Sequence, residues 1–150
     1  HKTKDQPYHL IGSGHIQLFV SSITIFKENP IFGIGLKNYY GVCLKSEKKV
    51  SCSNHPHNYY LDILTTSGII GFLILAILIF LILKNFINSK VYKKKKLNIN
   101  DFFYILLFIN FIIIFFPLRS SGSFFTTGNA SFIFFTISLI SYFQTKFKKS

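Results

Sequence analysis

Apolar positions along the chain form one amphipathic segment and three long runs, separated by polar stretches. From His15 to Lys27, the residues Ile16, Phe19, Val20, Ile23 and Phe26 recur at spacings of three and four, which predicts one apolar face of a helix. Ser13 is placed to cap its start, and Pro30 with the glycines of NPIFGIGLKNYYG ends it. At 1.5 Å per residue this helix reaches only about 20 Å, which is short for a bilayer. It is expected along the membrane surface or packed on neighbouring elements. Asn38 and Tyr39 are expected to extend the turn, and Lys45 to Ser53 to form a polar surface loop. A second helix is predicted to open at His57 and Asn58, because Pro56 holds His55 extended. On it His57, Leu61, Leu64 and Gly68 share a face, with Asn58 and Asp62 on the next. There Asp62 reads as a helper or solvent-facing residue.

Ser67 and Gly68 break or bend this helix before the first long run, Ile69 to Leu83. With Gly68 and a snorkelling Lys84 the run approaches the lower limit for a membrane span, about 17 residues, and Gly71 allows close helix contact. Lys84 to Asn100 reads as a basic loop. The second run is Phe102 to Phe116, broken by Asn110 alone, and the third is Ser131 to Phe143, ahead of a basic tail. Pro117 to Ser131 is the loop between them. The predicted fold is all-α: a polytopic membrane protein in which an extracytoplasmic segment with short amphipathic helices, residues 1–67, precedes three transmembrane helices in residues 68–150.

Composition strengthens the membrane class. Only 15% of residues are charged against 49% hydrophobic, with a mean hydropathy of +0.39, a balance unusual for a soluble domain of this length. The chain opens on His1 without a signal-peptide pattern and is expected to be part of something longer. The net charge of +12 suggests nucleic acid until the lysines are placed. They cluster at Lys84, Lys90, Lys93 to Lys96 and after Gln144, flanking apolar runs as cytoplasmic loops do. Membrane lipids with anionic headgroups are the expected partner, and nucleic acid is not. Two crossings separate the lysine clusters, so 84–100 and 144–150 fall on the cytoplasmic side, with 1–67 and 117–130 opposite.

That parity gathers His55, His57, Asn58, Asp62 and Arg119 at one face. A histidine there is suited to act as general base on a hydroxyl. Arg119, the only arginine, is suited to offset the charge of a diphosphate leaving group or to anchor a helix end at headgroups. Alternatively the HxH pair binds a metal, a reading weakened by Pro56 and the lack of a third ligand, or the histidines are interfacial without chemistry. No Ser-His-Asp arrangement, P-loop or nucleotide-sugar aspartate pair can be argued. Gly33-Ile34-Gly35 lacks the rest of a dinucleotide fingerprint and reads as a tight turn. Cys43 and Cys52 form a disulfide if this side is oxidising, and otherwise are two free thiols.

The string NPIFGIGLKNYYG, a loop, and then HPHNYYLDILTTSGIIGF resembles the C-terminal half of the O-antigen ligase and O-antigen polymerase family of bacterial inner-membrane proteins. Pro30, Gly33, Gly35 and Asn38-Tyr39 carry the first part. His57-Asn58, followed by Gly68 and Gly71, carries the ligase-type histidine motif. FFPLRSSGSFFTTGNASFIFF resembles the family's last periplasmic turn. The resemblance implies a metal-independent, cofactor-free glycosyltransferase of the bacterial inner membrane. It would transfer or polymerise an undecaprenyl-diphosphate-linked glycan, O-antigen or capsular polysaccharide, on the periplasmic side, onto an acceptor glycan or lipid A core. It makes His57 the catalytic base, and Asn58, Arg119, His55 and His15 the substrate-binding set. His15 stands where many members carry arginine, and Ser67 where many carry glutamate. Pro30, Gly33, Gly35, Gly68 and Gly71 become structural turn residues. The alternative is a non-enzymatic membrane subunit that binds or helps move a lipid-linked glycan.

Overall fold

A computed structural model describes residues 14–47 and 51–149, and among these every regular element is helical. The helices are α1 (Gly14–Glu28), α2 (Tyr39–Lys45), α3 (Tyr59–Ser89), α4 (Ile99–Ile114) and α5 (Thr127–Lys149), with a 3-10 turn at Val91–Lys93. Ser13, expected to cap α1, lies outside the described residues.

α1 has the predicted length but presents the opposite face. Leu18, Ser21, Ser22 and Ile25 are buried, while Ile16 and Ile23 are exposed. The small serines let α1 approach its neighbours closely and bond to them. The Ser22 and Tyr39 hydroxyls lie 2.7 Å apart, and Ser21 Oγ accepts from the Ser51 N–H at 3.1 Å. Polar pairing therefore decided the inner face, and the apolar stripe is left outside. α2, which the sequence pattern did not predict, packs on α1 through a small core of Ile25, Tyr39 and Cys43. Cys43 and Cys52 are joined as a disulfide.

The junction between the polar and apolar halves is a backbone lock. At Gly68 the φ/ψ pair of 66° and −162° interrupts α3. An uninterrupted helix would bond the Ile69 and Ile70 N–H groups to the Thr65 and Thr66 carbonyls. Instead, Ile69 N–H donates to Pro30 O at 2.8 Å and Ile70 N–H to Ile31 O at 3.5 Å. In exchange the freed Thr65 and Thr66 carbonyls accept from Ile34 and Gly35 N–H, each at 2.9 Å. The Pro30–Gly35 turn thus pairs the two N–H groups and two carbonyls that the kink sets free. Gly71 also serves the kink: a Cβ there would collide with Cβ of Ser67 in the same helix. The close approach seen at Gly71 is within α3.

Beyond the kink α3 continues past Lys84 to Ser89, where Lys90 closes it in a left-handed conformation. The basic loop is therefore shorter than expected, and α4 begins at Ile99 behind an Asn98–Asp101 capping box. α5 begins at Thr127 and takes in most of the basic tail. It packs against both α3 and α4 around a core that includes Ile82, Tyr104, Phe111, Ile133 and Ile140. One helix, extended through the 3-10 turn as Tyr59–Lys93, is long and apolar enough to cross a membrane, with hydropathy 2.8. Only 22% of its most apolar window is buried, unlike the core helix of a soluble protein. α4 is apolar but has 16 residues, and α5 is longer but less apolar. By length and composition, one of the three expected spans is supported directly.

The disulfide closes a short loop over a sequence separation of 9, for which loop-closure entropy gives about 2–3 kcal/mol. Reduction is expected to lower the stability of the α1–α2 unit by about that amount. Hydrogen exchange at the Val42 and Ser46 amides, which bond within this unit, should speed up accordingly, with little change in α4.

Candidate functional site

The lock fixes where α3 starts, and Asn58 makes that start a junction. Its Oδ1 accepts from the Tyr60 and Leu61 N–H groups at 3.0 and 3.2 Å, an N-cap. Its Nδ2 donates to Pro117 O at 2.7 Å and Arg119 O at 3.4 Å. The Ser121 N–H donates to His57 O at 2.9 Å, and the Tyr60 hydroxyl to Phe115 O at 2.5 Å. The loop after α4 is thereby tied to the His-Asn pair. His57 and Arg119 fall at the same end of the bundle, while the Lys94–Asp101 ion pair of 2.7 Å and the Asn85–Gln144 bond lie at the other.

His57 itself is not helical. Its φ of 60° is left-handed, a conformation that is costly for a residue with a Cβ, and α3 begins at Tyr59 rather than at His57. Its Nε2 lies 3.1 Å from Ser53 Oγ, and its ring centroid lies 4.2 Å from that of His55. Pro56 between them is fully buried, so the turn that brings the two tilted rings together is anchored.

Beside this pair opens a cleft of about 520 Å³. Lys37, Tyr39 and Tyr40 form one wall; His55 and Asp62 form another; Thr66, Ser123 and residues 125–127 complete it. His55 Nε2 is buried without a hydrogen-bond partner. Lys37, like His57, holds a left-handed φ, 63°. Burial pushes the Tyr39 hydroxyl above its ordinary range; the Ser22 hydrogen bond pulls the other way, and nearby Asp62 adds to the rise. Tyr39 is therefore a protonated hydroxyl at neutral pH.

Asp62 is the correction with most consequence. It is not solvent-facing: at 2% exposure it accepts from the Ser123 hydroxyl at 2.8 Å and the Phe124 N–H at 2.7 Å. It thereby pins the segment leading into α5 against the first turns of α3. A polar stripe at Asn58, Asp62 and Thr66, each one helical turn from the next, was the signal available in the sequence.

Of the site residues expected from sequence, His55 lines the cleft and His57 touches His55. Both ends of the Asn58 amide are engaged by protein. Arg119 is exposed, its Nη1 donating to Ile113 O at 3.4 Å, and it does not line the cleft. The His15 side chain lies outside the described residues. Lys37, Tyr39, Tyr40, Thr66 and Ser123 were not anticipated as site residues, because α2 and the folding back of 123–127 set them there.

Residues 11–76 match the family model described as O-antigen ligase. The match contains α1, the Pro30–Gly35 turn, α2, the His57-Asn58 pair and both glycines of the kink, and it ends within α3. The likeness noted for the final loop falls beyond it. Comparison with curated proteins and with solved structures gives no match.

Proposed function

We propose, from the match of residues 11–76 to the O-antigen ligase family model, that the chain is part of a bacterial inner-membrane glycosyltransferase. Its donor is an undecaprenyl-diphosphate-linked glycan and its acceptor a second glycan or a lipid A core. The observation that carries this reading is the His55–His57 pair, in ring contact at the edge of a polar cleft, at the end of the bundle away from the lysine-rich loop. The exposed apolar faces of α1 and of α3 beyond Gly68 suit α1 to the membrane surface and α3 to a span, with α4 and α5 as further crossings.

In this reading His57 takes the proton from the acceptor hydroxyl as it attacks the anomeric carbon. The bond to the carrier diphosphate breaks, and the pair of electrons leaves with the diphosphate. His55, on the cleft wall, orients the acceptor or receives the proton from His57. Arg119 meets the diphosphate from the loop that Asn58 holds in place. Chemistry of this kind needs no metal.

The test is His57→Ala and His55→Ala in the full-length protein, read as polysaccharide laddering on gels with the protein level in membranes measured alongside. Loss of a general base costs about 10²–10⁴-fold, so His57→Ala is expected to erase the ladder. An unchanged ladder with protein present would reject His57 as the base. Loss in His55→Ala alone would move that role to the cleft histidine. If neither variant changes the ladder, a non-enzymatic subunit becomes the better reading.

A further inference from the structure

We propose that Ser53 is a positioning residue for His57, and that the Cys43–Cys52 disulfide holds Ser53 in place. The inference rests on the reading of His57 as the base. It gives the disulfide a role in the site, beyond the stability of the α1–α2 unit.

The backbone settles only part of where the His57 imidazole lies. Its left-handed φ of 60° fixes the direction in which the side chain leaves, but rotation about the side-chain bonds still swings the ring. Contact with the His55 ring, with centroids 4.2 Å apart and planes tilted by 42°, limits that swing without choosing which edge of the imidazole faces which way. The Ser53 hydroxyl makes that choice. At 3.1 Å from Nε2, it turns the Nε2 edge of the ring toward residues 51–53. A hydroxyl can donate or accept, so Ser53 can stay bonded as the ring passes between its neutral and protonated forms. A base that takes a proton and gives it up again is held steadily by a partner of this kind.

Ser53 owes its place to the two residues before it. Cys52 is bonded to Cys43 of α2 and packs on the small core of Ile25, Tyr39 and Cys43. The Ser51 N–H donates to Ser21 Oγ of α1 at 3.1 Å. On the far side, the fully buried Pro56 anchors the chain again. The Ser53–His57 bond therefore closes a turn that is fixed at both ends, and the residues inside it, Asn54 and His55, line the cleft. Tyr39 and Tyr40 line the cleft from the first turn of α2, and Cys43 follows on the next. The disulfide thus ties one wall of the cleft to the other. Breaking it frees Ser53 from α2 without removing any residue that lines the cleft.

The test uses the full-length protein in membranes with isotope-labelled histidine, and His57→Ala identifies the His57 ring-nitrogen signals by their loss. Ser53→Ala is expected to move those signals and to slow polysaccharide laddering by about tenfold, which is what one hydrogen bond contributes. Ser53→Thr keeps the hydroxyl and is expected to restore both. Cys43→Ala with Cys52→Ala should reproduce the Ser53→Ala result in both readouts. If that double variant does not accumulate in membranes, mild reduction of the folded protein gives the same comparison. Unmoved His57 signals in Ser53→Ala would overturn the positioning role. So would a loss that Ser53→Thr fails to restore, or normal laddering in Ser53→Ala beside a lost ladder in His57→Ala. Unmoved signals once the disulfide is broken would overturn its part in holding Ser53. An unchanged ladder in His57→Ala would instead overturn the reading of His57 as the base, whatever the Ser53 variants show.

Discussion

Gly68→Ala is expected to destabilise the chain by about 3 kcal/mol or more, from left-handed strain plus the bonds lost at the lock, and Gly33→Ala by a similar amount. Both glycines hold positive φ, 66° and 69°. A Cβ at Gly68 would collide with the Ile31 carbonyl and lie 2.7 Å from Gly33 N. At Gly33 it would lie 2.5 Å from Thr66 C, 2.6 Å from Ser67 N and 2.6 Å from Thr65 O. Every obstacle is backbone, so no side chain can rotate out of the way. Relief requires the two segments to part, which breaks the reciprocal bonds between residues 30–35 and 65–70. The control is Gly128→Ala in α5, where nothing lies within 4 Å of the new Cβ. In a helix that change is near neutral or stabilising by up to about 1 kcal/mol. Unfolding titrations in bicelles, with exchange at the Ile34, Gly35 and Ile69 amides, would measure the difference. Equal stabilities for Gly68→Ala and Gly128→Ala would show that the lock carries no weight.

The lock also marks the limit of what the linear pattern contains. Gly33, Gly35 and Gly68 were each legible as turns or breaks, because glycine punctuates regardless of context. That the two turns complete each other's hydrogen bonds was not legible, since the pairing is tertiary and leaves no periodicity. α1 illustrates a different loss. Its apolar stripe was read correctly as a stripe, but the inner face was chosen by Ser21 and Ser22 through bonds to Ser51 and Tyr39. In a chain with lipid on one side, the apolar face need not be the buried one. Helix ends moved for a local reason: the polar Asn85, Asn88 and Ser89 still continue α3, until Lys90 supplies a left-handed stop. Among the candidate site residues, the histidine pair was proposed from its motif. The cleft walls at Lys37, Tyr39 and Ser123 depend on α2 and on the return of the chain after α4, which local spacing does not encode.

Asp62→Ala is expected to cost about 3 kcal/mol, because two hydrogen bonds to an acidic group are worth about 1.5–3 kcal/mol each and their buried donors are left unpaired. Phe124, whose N–H is one of those donors, is 7% exposed and packs edge-on against Tyr59 with ring centroids 5.6 Å apart. Losing Asp62 therefore loosens the segment that closes the cleft as well as the start of α5. Asp62→Asn separates holding from charge. The carboxamide oxygen can still accept from the Phe124 N–H, and the Ser123 hydroxyl can still donate to the same oxygen, so the expected cost falls to about 1 kcal/mol. If Asp62 only pins the segment, Asp62→Asn should keep both the slow exchange of the Phe124 amide and polysaccharide laddering in the full-length protein. If its charge also acts on the cleft, where it shares the lining with His55, the amide stays protected while the ladder is lost. Asp62→Ala with an unchanged Phe124 exchange rate would contradict the pinning role itself. The polar stripe on α3 would then owe its burial to packing with Tyr59 and Phe124, with the acid as a passenger.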